Sequence, residues 1–266
     1  MESAVRESGA VPATIAVLAG RITVGLSREQ IEDLAHRPFN TVRKCSRRDL
    51  PIVVARGEDG ATTVAGTMIV AHRAGIRVFG TGGIGGVHRG APFDVSADLM
   101  ELGRTPVAVV CAGPKAILDL PLTLEVLETH GVPVIGFGTD TLPGFYTRSS
   151  GLPIDVRVDT PREAAAIIAA AQRIDARHGV LIVVPVPEAD VSAGDVDAAI
   201  DRAVADADAQ GIKGKALTPF LLTRVSELSG GASQRTNQAL LVHNARTAGL
   251  IARELTDLVA TSTPKG

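Results

Sequence analysis

Pro106-Val107-Ala108-Val109-Val110-Cys111-Ala112-Gly113-Pro114-Lys115 is the stretch from which the fold can be read. Six residues of mostly β-branched apolar character stop at a small-residue turn, and a lysine follows. A run this short and this apolar fits a strand buried on both faces, as in a parallel sheet. The next residues read as a helix, Lys115–His130, closed by Gly131, and Val132–Phe137 reads as another strand. The same alternation recurs outward in both directions. Ala13–Ala19, Pro51–Ala55, Ile76–Phe79 and Val180–Val184 read as strands. Ser27–Ala35, Thr63–Ala74, Ser96–Leu102, Thr160–Arg177, Gly194–Gln210 and Gln238–Val259 read as helices. Ser27 with Gln30 has capping-box spacing. The expected fold is a three-layer α/β/α arrangement with a largely parallel central sheet. No linker divides the chain, so residues 1–260 read as a single domain, with 261–266 as a disordered tail.

The chain has 266 residues, 45% hydrophobic and 21% charged, with a net charge of −2. That balance supports a globular core and excludes a globally basic nucleic-acid binder. Aromatic residues are only 3%, which argues against base-stacking platforms. No apolar run reaches the ~18 residues of a membrane span. Two cysteines without a secretion signal suggest reduced thiols and a cytoplasmic location. Five lysines stand against twenty-two arginines, so each lysine invites a chemical question.

Five segments could carry chemistry. Gly80-Thr81-Gly82-Gly83-Ile84-Gly85-Gly86-Val87-His88-Arg89-Gly90 contains G-x-G-x-x-G, but no helix follows it, so a dinucleotide fingerprint is rejected. It remains either a tight turn or a backbone cradle for an anion, with Thr81, His88 and Arg89 adding polar contacts. Lys44-Cys45-Ser46-Arg47-Arg48-Asp49 is either a solvated charge run or a phosphate pocket. Asp94-Val95-Ser96-Ala97-Asp98 either caps a helix or holds a hard cation and a sugar hydroxyl. Lys115 sits where α/β folds bind ligands. It is either a snorkelling first-turn lysine or a partly buried amine with a lowered pKa. Asn237, in Ser233–Asn237, is either a helix cap or a reader of a base edge.

Together these segments resemble the pseudouridine-5'-phosphate glycosidase family. The resemblance runs from Gly9–Ala16 through Ser46–Pro51, Gly60–Val64, Thr81–Gly90, Val95–Leu99 and Cys111–Leu120 to Pro185–Glu188 and Thr218–Leu222. It implies reversible cleavage of the C–C glycosidic bond of pseudouridine 5'-phosphate to uracil and ribose 5-phosphate. It implies one divalent cation, typically Mn²⁺, and a homotrimer. By motif match Lys115 is the nucleophile, forming a Schiff base with ring-opened ribose, and Lys44 binds the sugar phosphate. Val64, through its backbone, and Ser96, Ala97 and Asp98 contact substrate. Thr81, His88 and Asn237 match contacts to base or phosphate, and Asp94 matches the metal ligand. The partners implied are small molecules, with no nucleic acid and no membrane.

The sequence departs from the family in one large respect. The family's first strand, roughly Ala-Leu-Glu-Ser-Thr-Ile, carries the glutamate that protonates the opening ribose ring; residues 1–266 hold no such segment, and Met1 is expected to fall inside the helix that follows that strand. Neither Glu2 nor Glu7 takes that role. Arg43, Pro114 and Val184 are smaller departures. Two other readings follow. One is a related C-ribosyltransferring enzyme of secondary metabolism. The other is an inactive remnant that binds ribose phosphate.

Overall fold

The computed structural model describes residues 1–188, 193–212 and 217–262. Its strands are Ile15–Leu18 (β1), Arg21–Val24 (β2), Val42–Cys45 (β3), Asp59–Thr62 (β4), Val78–Gly80 (β5), Val87–His88 (β6), Ala91–Val95 (β7), Ala108–Cys111 (β8), Leu118–Asp119 (β9), Val134–Phe137 (β10), Val156–Val158 (β11) and Val180–Val183 (β12). Its α-helices are Glu2–Glu7 (α1), Arg28–His36 (α2), Leu50–Arg56 (α3), Val64–Arg73 (α4), Ala97–Leu102 (α5), Leu120–Thr129 (α6), Pro161–Arg173 (α7), Ala193–Ala209 (α8), Leu217–Leu228 (α9) and Ala232–Ser262 (α10).

The central sheet has the order β11-β10-β12-β8-β5, and every neighbouring pair is parallel. The alternation of side chains along a strand explains the three layers. On β8, Val109 and Cys111 pack with Met68 of α4, Leu99 and Leu102 of α5 and Leu127 of α6. Ala108 and Val110 point the other way, into a cluster with Ala164 and Ile168 of α7 and Ile251 and Leu255 of α10. β12 divides in the same manner, Leu181 and Val183 on one side and Ile182 on the other. The α/β/α layering expected from the sequence is therefore present.

Two smaller sheets flank it. One runs β2-β1-β4-β3 and the other β7-β6-β9. The β6–β7 hairpin follows the glycine loop, where no helix is expected. α10 and α7 cover one face of the central sheet, and α4, α5 and α6 cover the other.

Three element expectations change. Pro51–Ala55 is not a strand but lies inside α3, which Gly57 closes at φ 66° in the left-handed region. A short apolar run has no period of its own, and proline in the first helical turn favours a helix. The helix expected from Lys115 begins at Leu120, where the Asp119 side chain accepts the Leu122 N–H at 3.0 Å. Lys115 is thereby left on a connecting loop. The last helix starts at Ala232, six residues before Gln238, and takes in Thr261 and Ser262, while 263–266 lie outside the described residues. The caps at Ser27, Thr63, Ser96 and Thr160 are all formed.

Candidate active site

The site lies at the carboxyl ends of β5 and β8, where three backbone segments meet on one carboxylate. Asp98, buried in the first turn of α5, accepts the Ala65 N–H of α4 on Oδ1 and the Gly85 N–H of the glycine loop on Oδ2, each at 2.9 Å. Thr63 fixes the other side of α4: its N–H donates to the Cys45 carbonyl at the end of β3, at 2.9 Å. The close fit at Gly85 demands glycine, because a Cβ there would lie 2.2 Å from Ser96 Oγ. Gly85→Ala is expected to displace the loop from the start of α5. Its cost is about 2 kcal/mol of stability, read as a lower melting temperature, together with weaker binding of ribose 5-phosphate.

This arrangement engages most of the first-turn amides. The Gly66 N–H donates to Thr63 Oγ and the Asp98 N–H to Ser96 Oγ. The Val64 and Ala97 N–H groups have no hydrogen bond among the described residues. Open amides at helix starts carry partial positive charge and attract anions. Val64 and Ala97, both named as substrate contacts by the resemblance, therefore stand at the first positions of α4 and α5.

Within the charge run beside them, among the described residues, Arg43 and Arg47 are committed to carboxylates while Lys44 and Arg48 stay open to solvent. Arg43 pairs with Glu58 at 2.8 Å. Arg47 forks onto the fully buried Glu101 at 2.9 and 2.5 Å, and Arg48 stands 4.0 Å from Asp49. Ser46 donates its N–H and hydroxyl to Asp49, so it shapes the turn. Lys44, exposed on β3, has no ion pair among the described residues.

Lys115 follows the β8 turn, and its N–H donates to the Ile84 carbonyl at 3.1 Å. Burial pushes its amine below the ordinary lysine value. The Asp98 carboxylate opposes that shift and the Lys44 charge adds to it. His88 of β6 is also held below its ordinary value by burial. Asp94 acts in the opposite sense on it, and Lys115 and Lys44 reinforce the burial. Lys44, His88, Asp94, Asp98 and Lys115 are therefore electrostatic neighbours although up to 71 positions separate them. The nearby Cys111 thiol is fully buried and pushed up to about 12, so it is inert as a nucleophile.

The remaining candidates fall into two groups. Thr81 lies on the loop leaving β5, its N–H donating to the Val110 carbonyl at 3.0 Å. Asn237 is within α10 rather than at its cap, and its Oδ1 lies against Gly82, 3.7 Å from where a Cβ would stand. Asn244, two turns further along the same helix face, was not singled out in the sequence. It is fully buried and its Nδ2 donates to the Thr81 and Gly82 carbonyls at 2.9 and 3.2 Å. The i, i+7 spacing of the two asparagines on a helix is the signal that could have revealed it. Arg89 does not face an anion cradle. Its guanidinium is engaged by the carbonyls of Ala116 and Leu118 and by Asp201. Glu2 accepts from Thr14 and Glu7 pairs with Arg246, so both are occupied.

Among the described residues no group of three or more His, Cys, Asp or Glu side chains could hold a metal ion. Asp94, half-buried on β7, has no hydrogen bond or ion pair there. One free carboxylate fits a hard divalent cation that keeps most of its waters, and does not fit a closed protein cage.

Fold and site together define an α/β protein whose free polar groups gather at the carboxyl ends of a parallel sheet, the end at which such folds bind ligands. Comparison with known proteins makes the family specific. The family described as "Indigoidine synthase A like protein" matches residues 1–254, and the chain belongs to that family. A pseudouridine-5'-phosphate glycosidase from Hahella chejuensis is 54% identical over 255 residues, covering 95% of this chain and 84% of that protein. One from Methylobacterium nodulans is 57% identical over 251 residues, covering 93% and 74%. Among solved structures, the prealnumycin C-glycosynthase AlnA in complex with ribulose 5-phosphate superposes with a TM-score of 0.90 at 42% identity, covering 98% of this chain and 86% of that one. No helix among the described residues is long and apolar enough to cross a membrane.

Proposed function

We propose that this chain is a pseudouridine-5'-phosphate glycosidase with Lys115 as its nucleophile. What supports this reading is a largely buried Lys115 with Lys44 and Asp98 as its charged neighbours, Asp98 itself tying the starts of α4 and α5 to the glycine loop. Lys44 and the open amides of Val64 and Ala97 would take the 5'-phosphate, which fixes the ribose relative to Lys115. The relatives named above supply the substrate class.

A C-glycoside has no heteroatom leaving group, so protonating a leaving oxygen cannot break it. An amine supplies another route. Lys115 nitrogen bonds to C1' as the C1'–O4' bond breaks and O4' takes a proton. The nitrogen lone pair then forms C=N while the electrons of the C1'–C5 bond pass to the uracil ring, where C5 takes a proton. Water hydrolyses the imine, releasing ribose 5-phosphate and restoring the amine. The lowered pKa of Lys115 favours the neutral amine that this sequence needs. Thr81 and Asn237, on the glycine-loop side, would face the base. Asp94 would hold a Mn²⁺ ion, which when bound would stabilise negative charge on the substrate's oxygens. The family resemblance supports a homotrimer, and the reduced thiols support the cytoplasm.

The test uses the purified chain with manganese, ribose 5-phosphate and uracil. The expected result is pseudouridine 5'-phosphate by chromatography, with a borohydride-trapped adduct at Lys115 by mass spectrometry. Folded protein that yields neither would refute the reading. Product only with a different carbon acid would favour a C-ribosyl transfer of the AlnA kind.

A further inference from the structure

We infer that Arg89 is the positioning residue for Lys115, holding the lysine-bearing loop from its far side. This inference rests on the assignment of Lys115 as nucleophile. Lys115 lies on a loop, so no helix fixes its backbone. Instead the residues after it are stitched to the hairpin that carries His88. Val87 pairs with Asp119 and His88 with Leu118 in the β6–β9 ladder. Arg89 extends that ladder with its side chain. Its Nη2 donates to the Ala116 carbonyl at 2.8 Å and its Nε to the Leu118 carbonyl at 3.2 Å. Ala116 is the residue next to Lys115, and its side chain and those of Ile117 and Leu118 are buried.

The third contact lies at the exposed rim and adds little to the clamp. Nη1 donates to Asp201 Oδ1 of α8 at 3.2 Å, an ion pair that is open to solvent. Two carbonyls and a carboxylate arranged around one planar group match the fixed fork of arginine. A lysine offers one nitrogen on a flexible stem where arginine offers Nε and Nη2 in one plane, so it holds the two carbonyls less rigidly. A misplacement of about 1 Å at a reacting group costs about 100-fold in rate. The clamp thus acts on the attacking amine rather than on phosphate binding, which belongs to Lys44, α4 and α5.

The test compares Arg89→Ala, Arg89→Lys and Asp201→Asn with the wild type in the full chain. Both Arg89 variants are expected to lower kcat by roughly 10- to 100-fold with KM for ribose 5-phosphate within about threefold. Asp201→Asn is expected to stay within about threefold in both, because its pair with Arg89 is exposed. A second readout does not depend on turnover: trace acetylation of Lys115, measured by mass spectrometry against Lys44 of the same chain. The ratio is expected to change by about threefold or more in Arg89→Lys. Should Arg89→Ala fail to fold, Arg89→Lys decides. An unchanged acetylation ratio together with unchanged kcat, or a change confined to KM, overturns the inference. Borohydride trapping at a residue other than Lys115 in the wild type overturns the nucleophile assignment instead, and the acetylation ratio then still shows whether Arg89 positions the loop.

Discussion

Lys115→Arg is expected to reduce turnover by about 10³-fold or more while ribose 5-phosphate still binds. Arginine retains the charge, but its guanidinium keeps its proton in proteins and offers no free amine lone pair. Lys115→Met separates chemistry from stability. Burial holds the folded-state pKa of Lys115 below its ordinary 10.5, so between those two values the unfolded chain binds more protons. Stability therefore rises with pH across that interval, and the cost of the buried charge is greatest below the folded pKa. Methionine has no charge to desolvate. Lys115→Met is expected to melt at or above the wild-type temperature at neutral pH and to have no activity. In the wild type the free amine grows as pH rises through the folded pKa, so turnover should climb along an acid limb. Retained turnover in Lys115→Arg would remove Lys115 as nucleophile.

Asp98→Asn is expected to damage both stability and rate. The two carboxylate oxygens each accept one backbone N–H, from Ala65 and Gly85. An asparagine amide can accept only one of them and turns its own NH₂ toward the other. An unsatisfied buried donor and the lost charge cost about 3 kcal/mol, visible by calorimetry as a lower melting temperature. The starts of α4 and α5 would lose their common tie, with an expected loss of about 100-fold in kcat/KM. The same change removes the carboxylate that raises the Lys115 pKa. The acid limb of the residual activity should therefore move to lower pH. A limb at the wild-type position would show that Asp98 does not act electrostatically on Lys115.

Much of this was legible in the residues. Ser27, Thr63, Ser96 and Thr160 announce their helices, because a capping side chain answers amides only three or so positions away. Val109 and Cys111 against Ala108 and Val110 follow from strand alternation. The position of Lys115 just past an apolar strand was also legible in the motif it sits in. The errors have equally local causes. Pro51–Ala55 could be helix or strand on composition alone. The residues after Lys115 have helical character, yet Ala116 and Ile117 form a turn closed by the Leu118 N–H on the Lys115 carbonyl, and Leu118 and Asp119 are drawn into the β6–β9 ladder.

The layered α/β fold and the capped helix starts are written into local pattern, because they depend on periodicity and on contacts between residues a few positions apart. Which polar groups remain free to act depends instead on contacts across the fold. Arg47 is withdrawn by Glu101, 54 positions away, and Arg89 by carbonyls 27 and 29 positions away. Asn244 of the last helix reaches across 163 positions to the glycine loop. A charged side chain carries no local record of its partner. Lys44 and Lys115 are distinguished from the surrounding arginines by what the fold leaves unpaired and what it desolvates.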